Sequence, residues 1–200
     1  MHVISDAAEL RRLVRDARAR GLVIGCVPTM GALHAGHASL LQSAREQSGF
    51  VVATIFVNPT QFAPHEDLSK YPRPLDRDLA ICTTAGVDLV FTPAVDGMYP
   101  PGFSTWVEVT GVSQRLEGMS RPTHFRGVTT IVMKLLQLVQ PHVAFFGEKD
   151  YQQQLVIRRM VRDLGFPIEI IGGETKRDAD GLAQSSRNLY LSADDRQTAD

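Results

Sequence analysis

Short apolar runs that alternate with amphipathic runs predict an α/β protein built on a doubly wound parallel sheet. Three observations support this. Residues 50–57 and 143–146 are continuous apolar runs, as expected of parallel strands buried on both faces. Helical patterns at 39–47, 75–85, 128–139 and 150–164 separate the strand-like runs at 22–27, 50–57, 87–92, 143–146 and 167–171. The unusual polar clusters all follow strands, at the carboxyl edge where such sheets bind ligands.

Taken in order, residues 6–20 read as a surface helix. Asp6 and Glu9 have capping-box spacing, Leu10, Leu13, Val14 and Ala17 share one face, and Gly21 ends it. The run 22–27 feeds a stretch, 28–37, with two glycines and two histidines, and a helix leaves it at 39–47. After the strand 50–57 comes a loop with Asn58 and Gln61, then a polar surface segment, 63–74, that is expected to be mobile and carries Pro64, Pro72 and Pro74. The helix 75–85 closes at Gly86 and the strand 87–92 at Pro93. Residues 96–123 are rich in Gly, Pro and Ser and read as irregular, with a small hairpin where 105–109 alternates. The helix 128–139, strand 143–146, helix 150–164 and strand 167–171 follow, and 172–187 is a polar loop.

Composition narrows the function classes. A 44% hydrophobic content over 200 residues is enough for one well-buried core. A net charge of −1 argues against broad electrostatic binding of nucleic acid or anionic membrane. Cys26 and Cys82 form no metal or redox spacing and read as reduced, buried thiols of a cytoplasmic protein. The run 50–57 is too short to span a bilayer, and Asp6 and Glu9 interrupt any leader-like start.

The clusters converge on phosphate chemistry. A strand, a glycine-containing turn and a helix N-terminus make an anion site, and His34 and His37 flank that helix start. Both imidazoles are placed to donate to phosphate oxygens and to stabilise charge on a transferring phosphoryl group. Gly147, Glu148, Lys149 and Asp150 repeat the strand-to-helix geometry, with Lys149 a mobile cation and Asp150 a cap or a ribose ligand. Gln184, Ser185, Ser186 and Arg187 offer hydroxyls, amides and a guanidinium for a triphosphate. Asn58 and Gln61 suit a hydroxylated substrate, and Arg121 with His124 a carboxylate. No Ser-His-Asp or Cys-His arrangement and no Gly-x-x-x-x-Gly-Lys loop stands in the chain.

These blocks carry a close resemblance to the pantothenate synthetase (pantoate–β-alanine ligase) family. They are Pro28-Thr29-Met30-Gly31-Ala32-Leu33-His34 through His37, Phe56-Val57-Asn58-Pro59 with Gln61-Phe62, Arg121-Pro122-Thr123-His124-Phe125, Phe146-Gly147-Glu148-Lys149-Asp150-Tyr151-Gln152-Gln153, and Asp180-Gly181-Leu182-Ala183 with Ser185-Ser186-Arg187-Asn188. The His-x-Gly-His element is also similar to the signature of the wider nucleotidyltransferase superfamily. The resemblance implies a Rossmann-like fold of nucleotidyltransferase type and a ligase of coenzyme A biosynthesis. It joins pantoate to β-alanine through pantoyl adenylate, with ATP as co-substrate, Mg2+ alongside it, and a homodimer as the assembly.

By matching position it implies His34, His37 and Lys149 as catalytic, with His37 the proton donor. Met30, Gly31, Ala32, Leu33, His34, Ala35, Gly36 and His37 would line the ATP site. So would Gly147, Glu148, Lys149, Asp150, Lys176, Gln184, Ser185, Ser186 and Arg187. Gln61, Gln153, Asn58, Arg121 and His124 would hold pantoate, and Gln61 also β-alanine. Asp78 is the implied contact to magnesium, since Arg77 stands where relatives can carry an acid, and Gln184 replaces a frequent Met. Residues 1–187 are expected to form the ATP- and pantoate-binding domain. Residues 188–200 are expected to begin a linker to a further domain that closes over the site, so this chain is expected to retain nucleotide binding with impaired turnover. A nucleotidyltransferase acting on another small acid, or a nucleotide-binding module without turnover, are the alternative readings.

Overall fold

Strands that are apolar on both faces must be covered on both, and the chain does this with helices. The computed structural model describes residues 1–66 and 68–199. The loop expected over 63–74 and the linker expected over 188–200 each include one position, Asp67 and Asp200, outside the described residues. In chain order the elements are β1 (His2–Ile4), α1 (Ala7–Ala19), β2 (Ile24–Thr29), α2 (Ala35–Gln47), β3 (Phe50–Ile55), α3 (Leu75–Thr84) and β4 (Leu89–Phe91). There follow α4 (Val95–Met98), α5 (Glu117–Ser120), α6 (His124–Val139), β5 (Val143–Gly147), α7 (Tyr151–Asp163), β6 (Glu169–Gly173) and α8 (Ala193–Thr198). Short 3-10 turns lie at Pro59–Gln61, Val112–Gln114, Glu148–Asp150 and Ser186–Tyr190.

The strands form one parallel sheet in the order β1-β4-β3-β2-β5-β6. Alternate strand residues enter opposite cores. Val52 and Phe91 pack with Leu10 of α1, Leu136 of α6 and Ile157 of α7. Val51, Ala53 and Val90 pack with Leu41 of α2 and Cys82 of α3. Each buried Leu, Ile or Phe contributes roughly 1.5–3 kcal/mol, so these two layers outweigh helix propensity in holding the sheet. No helix of the described residues is long and apolar enough to cross a membrane.

The chain winds from β2 toward β3 and β4 on one side, and from β5 toward β6 on the other, so the switch point lies between β2 and β5. Proline opens it. The carbonyls of Val23 and Thr29 accept from Phe50 and Phe56 on the β3 side, whereas Ile24 accepts from His142 on the β5 side. With a period of two, Cys26 and Pro28 also face β5, and Pro28 has no N–H to give. β2 pairs with β3 from Ile24 to Thr29 but with β5 only at Gly25 and Cys26. Beyond Cys26 the two central strands part, and a crevice opens at their carboxyl ends.

Three expectations need correction, and one strand lies outside the expected ones. That strand is β1, whose three residues, only Ile4 buried, show no period. Residues 105–109 form no hairpin. Val107 instead lies along α6, donating its N–H to the Thr130 hydroxyl at 3.0 Å and accepting at its carbonyl from Thr129 at 2.6 Å. Helix α2 starts at Ala35 rather than residue 39 because His34 caps it. Helix α6 starts at His124 rather than residue 128, which brings His124 and Gly127 onto the turn Pro59–Gln61.

Candidate active site

The polar clusters lie at the carboxyl ends of β2, β3, β5 and β6, around the crevice. A cavity of ≈ 210 Å3 there is lined by Met30, His34, Gly36, His37, Asn58, Gln61, Gly147, Lys149, Asp150, Gln153, Lys176, Gln184, Ser185, Ser186 and Arg187, all singled out from sequence.

The N-terminus of α2 leaves backbone N–H groups that need acceptors, and two imidazoles supply them. His34 Nδ1 accepts from the Gly36 N–H at 3.2 Å, and His37 Nδ1 accepts from the His34 N–H at 3.3 Å. This is a capping box with imidazoles in both roles. Their ring centroids are 4.1 Å apart. A backbone N–H can only donate, so neither Nδ1 carries a proton, and each neutral ring has its N–H on Nε2. Burial, then His34 and Lys149, depress His37 to about 3. Burial and then Lys149 lower His34 as well. The pair is therefore two neutral donors beside a helix dipole.

The turn before this helix is held from behind. Gly31 adopts φ 83 and Ala32 φ 50, the left-handed region that glycine tolerates and alanine resists. Asp78 holds this conformation: its two oxygens accept from the Ala32 and Leu33 N–H groups at 2.8 and 2.7 Å. Burial raises the Asp78 carboxyl, partly offset by those two bonds. Thr29 Oγ1 accepts from the Gly31 N–H at 3.1 Å and donates to the Thr54 carbonyl at 2.7 Å. Ser186 Oγ donates to the Ala32 carbonyl at 2.9 Å, tying the distant 172–187 loop to the same turn.

Gln61 is 8% exposed and its amide orientation is fixed. Asn58 Nδ2 donates to Gln61 Oε1 at 3.1 Å and to the Gly127 carbonyl at 3.1 Å, and Asn58 Oδ1 accepts from the Tyr99 hydroxyl at 2.8 Å. Gln61 Nε2, 3.1 Å from the weakly accepting Met30 sulfur, is left as the donor toward the cavity. Lys149 Nζ donates to Asp150 Oδ1 at 2.7 Å, so an incoming phosphate must compete with a neighbouring carboxylate. Ser185 Oγ accepts from the Arg187 N–H at 3.2 Å, and the Arg187 guanidinium stands 5.9 Å from the Phe62 ring centroid. Gln184 Nε2 donates to Asp178 at 2.9 Å, while its Oε1 is buried without a hydrogen-bond partner.

Other candidates do not reach the cavity. Gly31, Ala32, Leu33, Ala35 and Glu148 contribute backbone or surface around it, not lining. Asp78, expected beside magnesium, has both oxygens committed to the Ala32 and Leu33 N–H groups. No group of three or more His, Cys, Asp or Glu side chains among the described residues could hold a metal ion. Arg121 and His124, expected to take a carboxylate, stand behind Gln61; Arg121 is already paired with Glu66 and Glu117. Sequence reasoning missed the apolar wall of Phe56, Val128, Ile131, Leu135 and Phe146 and the ring of Tyr71. The wall reads as ordinary core periodicity; Tyr71, a lone aromatic in a polar stretch, was the one available signal.

The histidine pair makes stability depend on pH with a definite sign. His37 is held near 3 in the folded chain against an ordinary 6.5, so its contribution is complete above pH 6.5 and lost as pH falls toward about 3. His37→Gln keeps a capping acceptor without titrating. In urea denaturation the two proteins are expected to differ little at pH 7.5. Below pH 6.5 the wild type should lose stability relative to the variant, by up to about 1.4 kcal/mol per pH unit. Parallel curves would show that His37 is not held neutral.

Known proteins resemble this chain in sequence and in fold. The family model for pantoate-beta-alanine ligase matches residues 2–200. The chain is 58% identical to a pantothenate synthetase of Moorella thermoacetica over 199 residues, spanning all of this chain and 70% of that protein. It superposes on the crystal structure of a pantothenate synthetase from Thermus thermophilus with a TM-score of 0.95 at 55% identity, covering 100% of this chain and 71% of that one. It matches a pantoate-beta-alanine ligase from Francisella tularensis, complexed with beta-gamma ATP and beta-alanine, with a TM-score of 0.95 at 40% identity, covering 100% and 76%. Matched in sequence and in fold over its whole length, the chain belongs to the pantoate–β-alanine ligase family.

Proposed function

We propose that this chain condenses pantoate with β-alanine, using ATP, through a pantoyl adenylate. The observation that carries the reading is one cavity lined by His34, His37 and Lys149 together with Gln61 and Gln153. The first three suit a triphosphate and the last two a hydroxylated acid. In the first step a pantoate carboxylate oxygen attacks the α-phosphorus of ATP. The bond from that phosphorus to the bridging oxygen breaks, and pyrophosphate leaves with the electron pair. In-line displacement needs positioning and charge neutralisation more than covalent help. The Nε2–H groups of His34 and His37 donate to phosphate oxygens, and the Lys149 ammonium exchanges Asp150 for the phosphates. Gln61 Nε2 and the Gln153 amide hold pantoate's polar groups. Phe56, Val128, Ile131 and Phe146 face its branched carbon.

In the second step the β-alanine nitrogen attacks the acyl carbon, the bond to the AMP oxygen breaks, and the nitrogen gives up a proton. Gln61 is the proposed neighbour of β-alanine as well. Since the described residues offer no metal cage, Mg2+ is proposed to enter on the phosphates of ATP, as part of the substrate. Residues 1–187, which hold the sheet and all four clusters, are the proposed ATP- and pantoate-binding domain.

Pantoate-dependent exchange of pyrophosphate into ATP tests the reading. The wild-type chain should show it, and Lys149→Ala or His37→Ala should lower it by about a hundredfold with the circular dichroism spectrum unchanged. Exchange driven by another small acid but not by pantoate would contradict it.

We also propose a homodimer in which Leu116, Tyr151 and Leu155, exposed apolar side chains around one hollow beside Lys149, are covered by the second copy. Sedimentation at micromolar concentration should show a dimer that Leu116→Glu with Leu155→Glu dissociates. A wild type that sediments as a monomer would refute it.

A further inference from the structure

We propose that Arg121 and His124 are positioning residues for Gln61: they fix its backbone carbonyl, and Glu66 and Glu117 hold the Arg121 guanidinium in place to do so. The inference rests on the reading above that Gln61 contacts pantoate, and it assigns Arg121 a role other than binding the substrate's carboxylate.

The hydrogen bonds converge on one atom. The Gln61 carbonyl accepts from Arg121 Nη2 at 3.2 Å and from His124 Nδ1 at 2.9 Å. A carbonyl only accepts, so His124 carries its proton on Nδ1, the tautomer opposite to that of His34 and His37. Arg121 has little left for a substrate. Its Nε and Nη2 donate to the two oxygens of Glu66 at 2.8 and 2.6 Å, and Nη1 donates to Glu117 at 2.6 Å. The fork on Glu66 is the bidentate geometry that favours arginine over lysine. Two carboxylates already neutralise the guanidinium, so a third gains little attraction there.

The backbone and the side chain of Gln61 are held from different directions. Asn58 clamps Oε1, while Arg121 and His124 hold the main chain from which that side chain projects. Helix α6 can bring His124 this close because position 127 is glycine. A Cβ there would lie 2.4 Å from the Thr60 carbonyl oxygen and 2.7 Å from the Gln61 Cα. A turn pinned at this many points fixes where the Nε2 donor sits, and a misplacement of about 1 Å costs on the order of a hundredfold in rate.

Isothermal calorimetry of this chain with pantoate and with ATP, separately, tests the assignment. Arg121→Ala should weaken pantoate about tenfold or more, the scale of a charge-assisted hydrogen bond, and leave ATP within about twofold. Glu66→Gln should weaken pantoate in the same direction. The double variant should be no worse than Arg121→Ala alone, because both changes release the same carbonyl. Arg121→Lys should recover part of the loss. If Arg121 bound the carboxylate directly, Glu66→Gln would free it and tighten pantoate, which overturns the proposal. Equal losses for ATP and pantoate would overturn it too, marking a merely structural role. A wild type that binds ATP but not pantoate would instead refute the functional reading. The positioning is then read by hydrogen exchange: Gln61 and Phe62 amides should exchange faster in Arg121→Ala than in wild type with the melting temperature unchanged, and unaltered exchange would overturn it.

Discussion

A helix that starts inside a binding crevice has backbone N–H groups to satisfy, and here two imidazoles satisfy them reciprocally. That bond pattern dictates the chemistry around it. Nδ1 of both rings is committed to the helix cap, so each ring has one proton to offer, on Nε2. Protonating either Nδ1 would break a capping bond, and doing so in a partly buried place beside Lys149 is disfavoured twice over. In the proposed function the work of binding a polyanion is thus divided. In that proposed role full positive charge would come from the partly solvated Lys149, and fixed neutral donors from the pair, which need no reorganisation when charge builds.

The cap in turn depends on how the turn before it is built. Pro28 parts β2 from β5, which makes the space. The Gly31-Ala32 pair bends the chain through left-handed backbone to bring His34 to the helix start. Asp78, from a helix forty-odd residues downstream, stabilises that bend by accepting both following N–H groups. A carboxylate with both oxygens so used is a structural brace. It also explains why an acidic residue next to an apparent phosphate site need not be a metal ligand.

Much of this was legible in the sequence where one residue type has one plausible use. Continuous apolar runs mark β3 and β5, and glycines and histidines after a strand mark the helix start that lines the crevice. Less is legible where the meaning of a residue depends on a distant partner. Histidine is not among the favoured capping residues, so the periodic pattern alone places the start of α2 at residue 39 rather than at Ala35. Arg121 and His124 suggest a carboxylate site by residue type alone, whereas Glu66, Glu117 and the carbonyl of Gln61 are brought against them only by the fold. The alternation at 105–109 resembled a hairpin, but its backbone is satisfied by threonine hydroxyls of α6. The apolar wall was invisible for a different reason: a helix facing a crevice has the same periodicity as one facing a core.

That His34 and His37 are neutral rings with their protons on Nε2 is open to direct observation. Chemical shifts and one-bond couplings of the ring nitrogens in protein carrying nitrogen-15 in histidine, recorded at pH 7 without ligand, report which nitrogen is protonated. Both residues should show an unprotonated Nδ1 and a protonated Nε2, with no change for His37 as pH is lowered to 5. A proton on Nδ1 of either ring, or an imidazolium at position 37 at neutral pH, would contradict it.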